Sequence, residues 1–142
     1  MTIMAELDVS KPLPAITTEA KPFWDAAAQQ KLIIQRCHDC NAWVWTPRPS
    51  CNECGSEKVE WTPMSGKGEV YSFTVIRHPV IPNVADALPL VAAVVELPDT
   101  GGCRLVGNVV DVDPAAVAIG LPVRVDWYDA WPDATVPVFR LA

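Results

Sequence analysis

Two C-x-x-C pairs, Cys37-His38-Asp39-Cys40 and Cys51-Asn52-Glu53-Cys54, are separated by ten residues and constrain this chain more than any other feature. Each pair places two thiolates on one edge of a tetrahedron, and two pairs complete the four-ligand set that zinc takes at about 2.3 Å per Zn–S bond. Gly55 follows the second pair and suits a tight turn with φ > 0. The alternatives are two disulfides or a redox dithiol. Disulfide frameworks belong to oxidising compartments. The first residues, Met1 to Glu6, show neither the basic nor the apolar stretch of a secretory signal, so a cytoplasmic chain is expected. A redox role would need only one pair. The spacing therefore predicts a zinc ribbon with one Zn²⁺ on Cys37, Cys40, Cys51 and Cys54. Four cysteines leave no open coordination position, so this zinc is structural.

Composition narrows the rest. Half of the 142 residues are hydrophobic, enough for a core, but no apolar run reaches the roughly 18 residues of a membrane helix. Fourteen prolines argue against a helical protein. The formal charge is −6; four thiolates and one Zn²⁺ lower it by two, to about −8. Nucleic-acid binding relies on Lys and Arg against phosphate, and here 11 basic residues face 17 acidic ones. The fifth cysteine, Cys103, lies in an apolar strand pattern and reads as a buried structural thiol.

Along the chain, residues 1–17 form a proline-punctuated arm, mobile or lying on a partner. Thr17 or Thr18 caps a helix running to about Gln30, with Pro22 in its first turn and a stripe of Phe23, Trp24, Ala27 and Ala28. That stripe suits the chain's own core and another subunit equally. Lys31 to Arg36 reads as a strand delivering Cys37 to the metal, Trp43-Val44-Trp45 as part of a hairpin, and Lys58 to Trp61 as a third strand. The Gly66-Lys67-Gly68 stretch marks a joint. The expected organisation is an arm and helix over 1–30, a zinc ribbon over 31–65 and a barrel over 66–142.

Beyond the joint the pattern is all-β. Strands are expected over Glu69–Ile76, Leu90–Leu97, Cys103–Val112, a segment around Val123–Tyr128, and Val136–Leu141. A long loop, His78 to Pro89, follows the first; Pro98 to Gly102 is a turn; Asp113 caps a single helical turn that starts at Pro114. Five strands with a helical interruption before the fourth fit a small Greek-key barrel of the OB type. The fold class is thus mainly β: an N-terminal helix, a rubredoxin-like zinc ribbon, then a five-stranded OB-fold barrel.

Several motifs carry a resemblance: Phe23-Trp24 on the helix, Leu32-x-x-x-Arg36-Cys37-x-x-Cys40, Pro47-Arg48-x-x-Cys51-x-x-Cys54-Gly55, and Gly66-x-Gly68-x-Val70-Tyr71-Ser72-Phe73-Thr74. Further on stand Gly107-Asn108, Asp113-Pro114, Ile119-Gly120-Leu121-Pro122-Val123-Arg124-Val125 and Pro137-x-Phe139-Arg140. From about residue 17 onward the chain resembles the zinc-ribbon plus OB-fold acyl-CoA-associated proteins. That resemblance implies a non-catalytic partner subunit of a thiolase-fold or lipid-transfer-protein-like enzyme, including thiolases and steroid side-chain aldolases. It implies a heterotetramer in which this chain stabilises the complex and shapes the entrance for an acyl-CoA shared with the partner. Where the family often has an aromatic residue after the proline of the second barrel strand, this chain has Leu90.

The chain's own catalytic inventory is thin. His38 lies inside a knuckle, and His78 opens the long loop without a Ser or Cys nucleophile paired to it. Gly66-Lys67-Gly68 is too short for a phosphate loop. Arg48, Lys67, Arg77 and His78 are the candidates to touch acyl-CoA. Trp24, Trp43, Trp45, Pro79, Ile81, Pro82 and Leu88 supply more apolar surface than a ribbon and small barrel hide, and are expected at a partner interface. The competing reading is a nucleic-acid module that stacks bases on its tryptophans, which the acidic balance disfavours.

Overall fold

The computed structural model describes residues 16–79, 82–131 and 134–142. Most of the expected N-terminal arm, residues 1–15, lies outside them, as does Ile81. One helix, α1 (Lys21–Ala28), precedes eight strands: β1 (Ile33–Cys37), β2 (Trp43–Val44), β3 (Val59–Pro63), β4 (Lys67–Ile76), β5 (Leu90–Leu97), β6 (Cys103–Val109), β7 (Pro122–Trp131) and β8 (Ala134–Leu141). Short 3-10 turns occupy Pro82–Ala87, Pro98–Thr100 and Pro114–Ala116.

The helix is shorter than the sequence suggests. Thr17 closes a separate turn ahead of it: its carbonyl accepts from Lys21 N–H at 2.9 Å and its hydroxyl from Ala20 N–H at 3.2 Å. Ala20 is then the capping position, with no side-chain bond, and proline stands in the first turn. At the other end Gln30 enters the left-handed region at φ 60. Phe23 and Ala27 face inward, 4% and 0% exposed, whereas Ala28 is exposed, so the buried stripe is narrower than its apolar residues. The helix packs on β8 and β1.

Strands β2, β1 and β3 form an antiparallel sheet in that order, with Cys37 opposite Val59. The remaining five close a barrel in the order β4-β5-β6-β8-β7, the last strand pairing back on β4. All neighbours are antiparallel except β6 and β8, which run parallel and meet in register only at Val109 and Phe139. This is the five-stranded Greek-key arrangement of an OB fold.

Strand ends depart from the sequence pattern where pairing outweighs local propensity. The β7–β8 hairpin continues to Trp131 opposite Ala134, past Asp129, because the two strands pair along their whole length. β6 stops at Val109 rather than Val112, and Asp111 turns left-handed at φ 53. Asp113 accepts from Ala115 N–H at 2.9 Å and caps the turn that Pro114 begins. Gly66 and Gly68 are packing positions. A Cβ on Gly66, at φ +85, would lie 2.7 Å from Val125 Cγ1, and one on Gly68 would lie 2.4 Å from Val95 Cγ1.

A single main core fills the barrel with Val70, Val91, Val95, Leu105, Val123 and Phe139, and it continues into Phe23, Leu32 and Ile34 from the helix and ribbon. The small ribbon thus borrows the barrel's core; its own is Cys37, Val44 and Cys51. β5 is apolar on both faces: Val91, Ala93, Val95 and Leu97 point in, while Leu90, Ala92 and Val94 on the outside are half-buried. Beside them Val106 is 75% exposed and Tyr71 48%.

Candidate metal centre

The two knuckles are built alike. Cys37 N–H donates to Ala42 carbonyl at 2.8 Å, and Asn41 N–H donates back to Cys37 carbonyl at 3.0 Å. In the second knuckle Cys51 N–H donates to Ser56 carbonyl at 2.8 Å, and Gly55 N–H to Cys51 carbonyl at 2.9 Å. The fifth residue of each turn is left-handed, Asn41 at φ 62 and Gly55 at φ 77. Glycine reaches that region freely and asparagine is among the next best. The knuckles are braced to each other: Ser56 Oγ donates to Asp39 Oδ2 at 2.5 Å, and His38 N–H to Lys58 carbonyl at 2.8 Å.

This frame brings four sulfurs within 4.8 Å of one another. Cys37 and Cys54 stand 3.6 Å apart and Cys40 and Cys51 3.7 Å, each contact joining one knuckle to the other. The edge of a regular ZnS₄ tetrahedron with 2.3 Å bonds is about 3.8 Å, and a disulfide bond is about 2.05 Å. The spacing fits four thiolates around one ion, with no sulfur–sulfur bond. Cys37 and Cys51 are buried; Cys40 and Cys54 reach the surface.

Charge makes the same point. The Cys40 N–H, above all, lowers the Cys37 thiol to about 7. Cys40 is driven up to about 12, because burial and the neighbouring sulfurs outweigh the hydrogen bond from Ala42 N–H, and Cys54 is also raised. Four sulfurs in contact do not all lose their protons unless a cation compensates them. Zinc does so, and with four cysteine ligands it is a structural ion that supplies folding energy and carries no reacting group.

The link between the knuckles is held by Gln35, a buried glutamine of β1 that is 4% exposed. Its Oε1 accepts from Arg48 N–H at 2.8 Å and its Nε2 donates to Arg48 carbonyl at 2.9 Å. The prolines on either side of Arg48 have no N–H, so this clamp grips the peptide hydrogen-bonding pair between them.

The other candidate residues are scattered. The Arg48 side chain is exposed on the ribbon, and Lys67 opens β4. Arg77, His78 and Pro79 follow the far end of β4 and are exposed; its ten residues run up to roughly 33 Å at ~3.3 Å each. The fold therefore does not gather Lys67 with Arg77 and His78 into one anion site. His38 is exposed, its ring 4.0 Å from Glu60. Trp24, Trp43 and Trp45 are half-buried against the main core. Phe23 sits between Trp24 and Trp45, with ring centres 5.2 Å from each, and Arg36 lies over Trp43 at 4.9 Å. Leu88 is half-buried, and Pro82 opens a 3-10 turn inside the long loop. Cys103 is only half-buried; burial pushes its thiol up.

Sequence reasoning passed over three groups. Asn41 was detectable, since it stands four residues after Cys37 as Gly55 does after Cys51. Gln35 gives no local signal, because its partner is 13 residues away. Arg140 bridges Asp126 and Asp111, tying β8 to β7 and to the end of β6, and only the topology reveals that.

Comparison with known proteins identifies both parts of the chain. Residues 24–60 match the ChsH2 rubredoxin-like zinc ribbon domain and residues 61–128 the ChsH2 C-terminal OB-fold domain. A probable enoyl-CoA hydratase alpha subunit of Thermomonospora curvata is 43% identical over 132 residues, 93% of this chain and 40% of that protein. The 3-oxo-4,17-pregnadiene-20-carboxyl-CoA hydratase alpha subunit of Mycobacterium tuberculosis is 36% identical over 120 residues, 84% of this chain and 37% of that protein. The chain thus spans well under half of either relative. A solved chain described as Ltp2-ChsH2(DUF35) aldolase superimposes with a TM-score of 0.81 at 43% identity, covering 91% of this chain and 98% of its own.

Proposed function

The chain belongs to the ChsH2 family of zinc-ribbon and OB-fold proteins, and we propose that it is a partner subunit of a thiolase-fold acyl-CoA enzyme. In this reading the partner carries out thiolysis or retro-aldol cleavage, and this chain stabilises the assembly and borders the acyl-CoA entrance. The observation that carries it is the likeness to a chain of the Ltp2-ChsH2 aldolase along 98% of that chain's length. The metal supports a non-catalytic role, because four thiolates leave it no position for substrate. The surface is compatible with a partner: Val106 and Ile119 are 75% and 73% exposed.

The residues assigned to that contact are Trp24, Trp43 and Trp45 and the loop with Pro79, Ile81, Pro82 and Leu88. Arg48, Lys67, Arg77 and His78 are assigned to acyl-CoA, with Arg77 and His78 forming one group and the other two standing apart. Two of these chains on a thiolase-fold dimer, in the cytoplasm, complete the proposal.

The test is co-expression with a thiolase-fold protein encoded beside this chain. A stable complex with two copies of each is expected, cleaving an acyl-CoA that this chain alone does not. A chain that stays a monodisperse monomer beside every such protein overturns the reading. The two hydratase relatives favour a second one, a ribbon–barrel module serving a hydratase. It predicts capture of a hydratase subunit and water addition to an enoyl-CoA. A filter-binding assay at low salt should retain no nucleic acid.

A further inference from the structure

Where the helix, the ribbon and the barrel meet, a cleft of about 620 Å³ opens on the β6–β8 seam. Trp24 and Trp45 form one wall, with Phe23 in contact with both, and Val106 and Pro137 belong to the barrel side. No charged side chain is among the described residues that line it; Thr17, Thr46 and Asn108 contribute hydrogen-bonding groups, the Thr17 hydroxyl already accepting from Ala20 N–H. One Asn108 amide hydrogen is taken by Val91 carbonyl at 3.1 Å, which leaves a second, and the Thr46 hydroxyl adds another donor.

We propose that this cleft binds the neutral, flat ring portion of an acyl-CoA's acyl group, of the 3-oxosteroid class. The volume lies within the ~300–1,000 Å³ of small-molecule sites, which are mainly apolar with a few placed polar groups. Among the described lining residues no Lys or Arg is present to neutralise the phosphates of CoA. Indole and proline side chains suit a rigid polycycle, and amide and hydroxyl donors in the lining suit a ring ketone. A curated relative is named for a 3-oxo-pregnadiene-carboxyl-CoA, an acyl group of that chemistry. The proposal rests on the acyl-CoA reading above for the origin of the ligand. It moves Trp24 and Trp45 from protein contact to ligand contact.

The full-length, zinc-loaded chain is titrated alone with androst-4-ene-3,17-dione, with the CoA thioester of a 3-oxosteroid carboxylic acid, and with free CoA, following tryptophan emission. Saturable quenching by the steroid is expected, independent of salt, with the thioester binding within a few-fold and free CoA not at all. Val106→Arg puts a charge at a surface position of the cleft; it should retain its zinc and bind the steroid at least ten-fold more weakly. Thr46→Val should weaken the ketone-bearing steroid several-fold and leave a ketone-free polycycle unchanged. No saturation, free CoA binding as well as the steroid, a thioester more than ten-fold weaker than the steroid, or unaltered binding by zinc-loaded Val106→Arg each overturns the proposal. Because no partner is present, these outcomes are independent of whether the chain finds a thiolase-fold subunit.

Discussion

At the scale of single residues, the most consequential side chain is one that the cysteine pattern hides. Gln35 satisfies both polar groups of the Arg48 peptide. Leaving a buried donor or acceptor without its partner costs about 1–3 kcal/mol, so Gln35→Leu should destabilise the zinc-loaded chain by roughly 2–4 kcal/mol in a denaturant titration. Cys103 gives a pH-dependent readout. Its thiol is pushed up by burial, so at any given pH a smaller share of it is thiolate than of a free cysteine. The holo-protein should react with a disulfide dye more slowly than a free cysteine and speed up as pH rises; fast reaction at neutral pH counts against this. The four cysteines were legible because metal spacing is a local code written in residue type. Gln35 and Arg140 were not, because a long-range hydrogen bond leaves no trace beside either partner.

Whole elements were read with mixed success, for identifiable reasons. The strand pattern, the Asp113-Pro114 turn and the five-stranded barrel follow from β-branched runs and turn residues, which report local preference. Their ends do not, since pairing decides them: β7 and β8 hold each other extended through Asp129 and Trp131. The helix shows the reverse, because Thr17 spends its hydrogen bonds on a preceding turn and the helix starts only at Lys21. The Gly66-Lys67-Gly68 stretch reads as a joint in sequence, yet Gly68 lies inside β4 with no room for a side chain. Gly68→Ala should therefore cost about 1–3 kcal/mol by overpacking, measured as a lower melting temperature with the zinc content unchanged. If stability is unaltered, Val95 has room to move.

For the molecule as a whole, the proposed contact with a partner is tested at the long loop. Shortening the loop at His78–Leu88 should leave one zinc bound and the barrel folded, and should weaken co-purification with the partner; undiminished association would locate the interface elsewhere. None of the described helices is long and apolar enough to cross a membrane. The Gln35 clamp has a consequence at this scale. The segment it fastens runs from one cysteine pair to the other, and on its way it supplies Trp45, Thr46 and Pro47 to the cleft. Ion and cleft are then two ends of one lever. Stripping zinc with a chelator should abolish steroid quenching before the barrel unfolds, because the barrel's core lies mostly outside the ribbon. Thermodynamic reciprocity requires the converse: a steroid in the cleft should tighten the hold on a metal ion it never touches, read as a lower zinc dissociation constant.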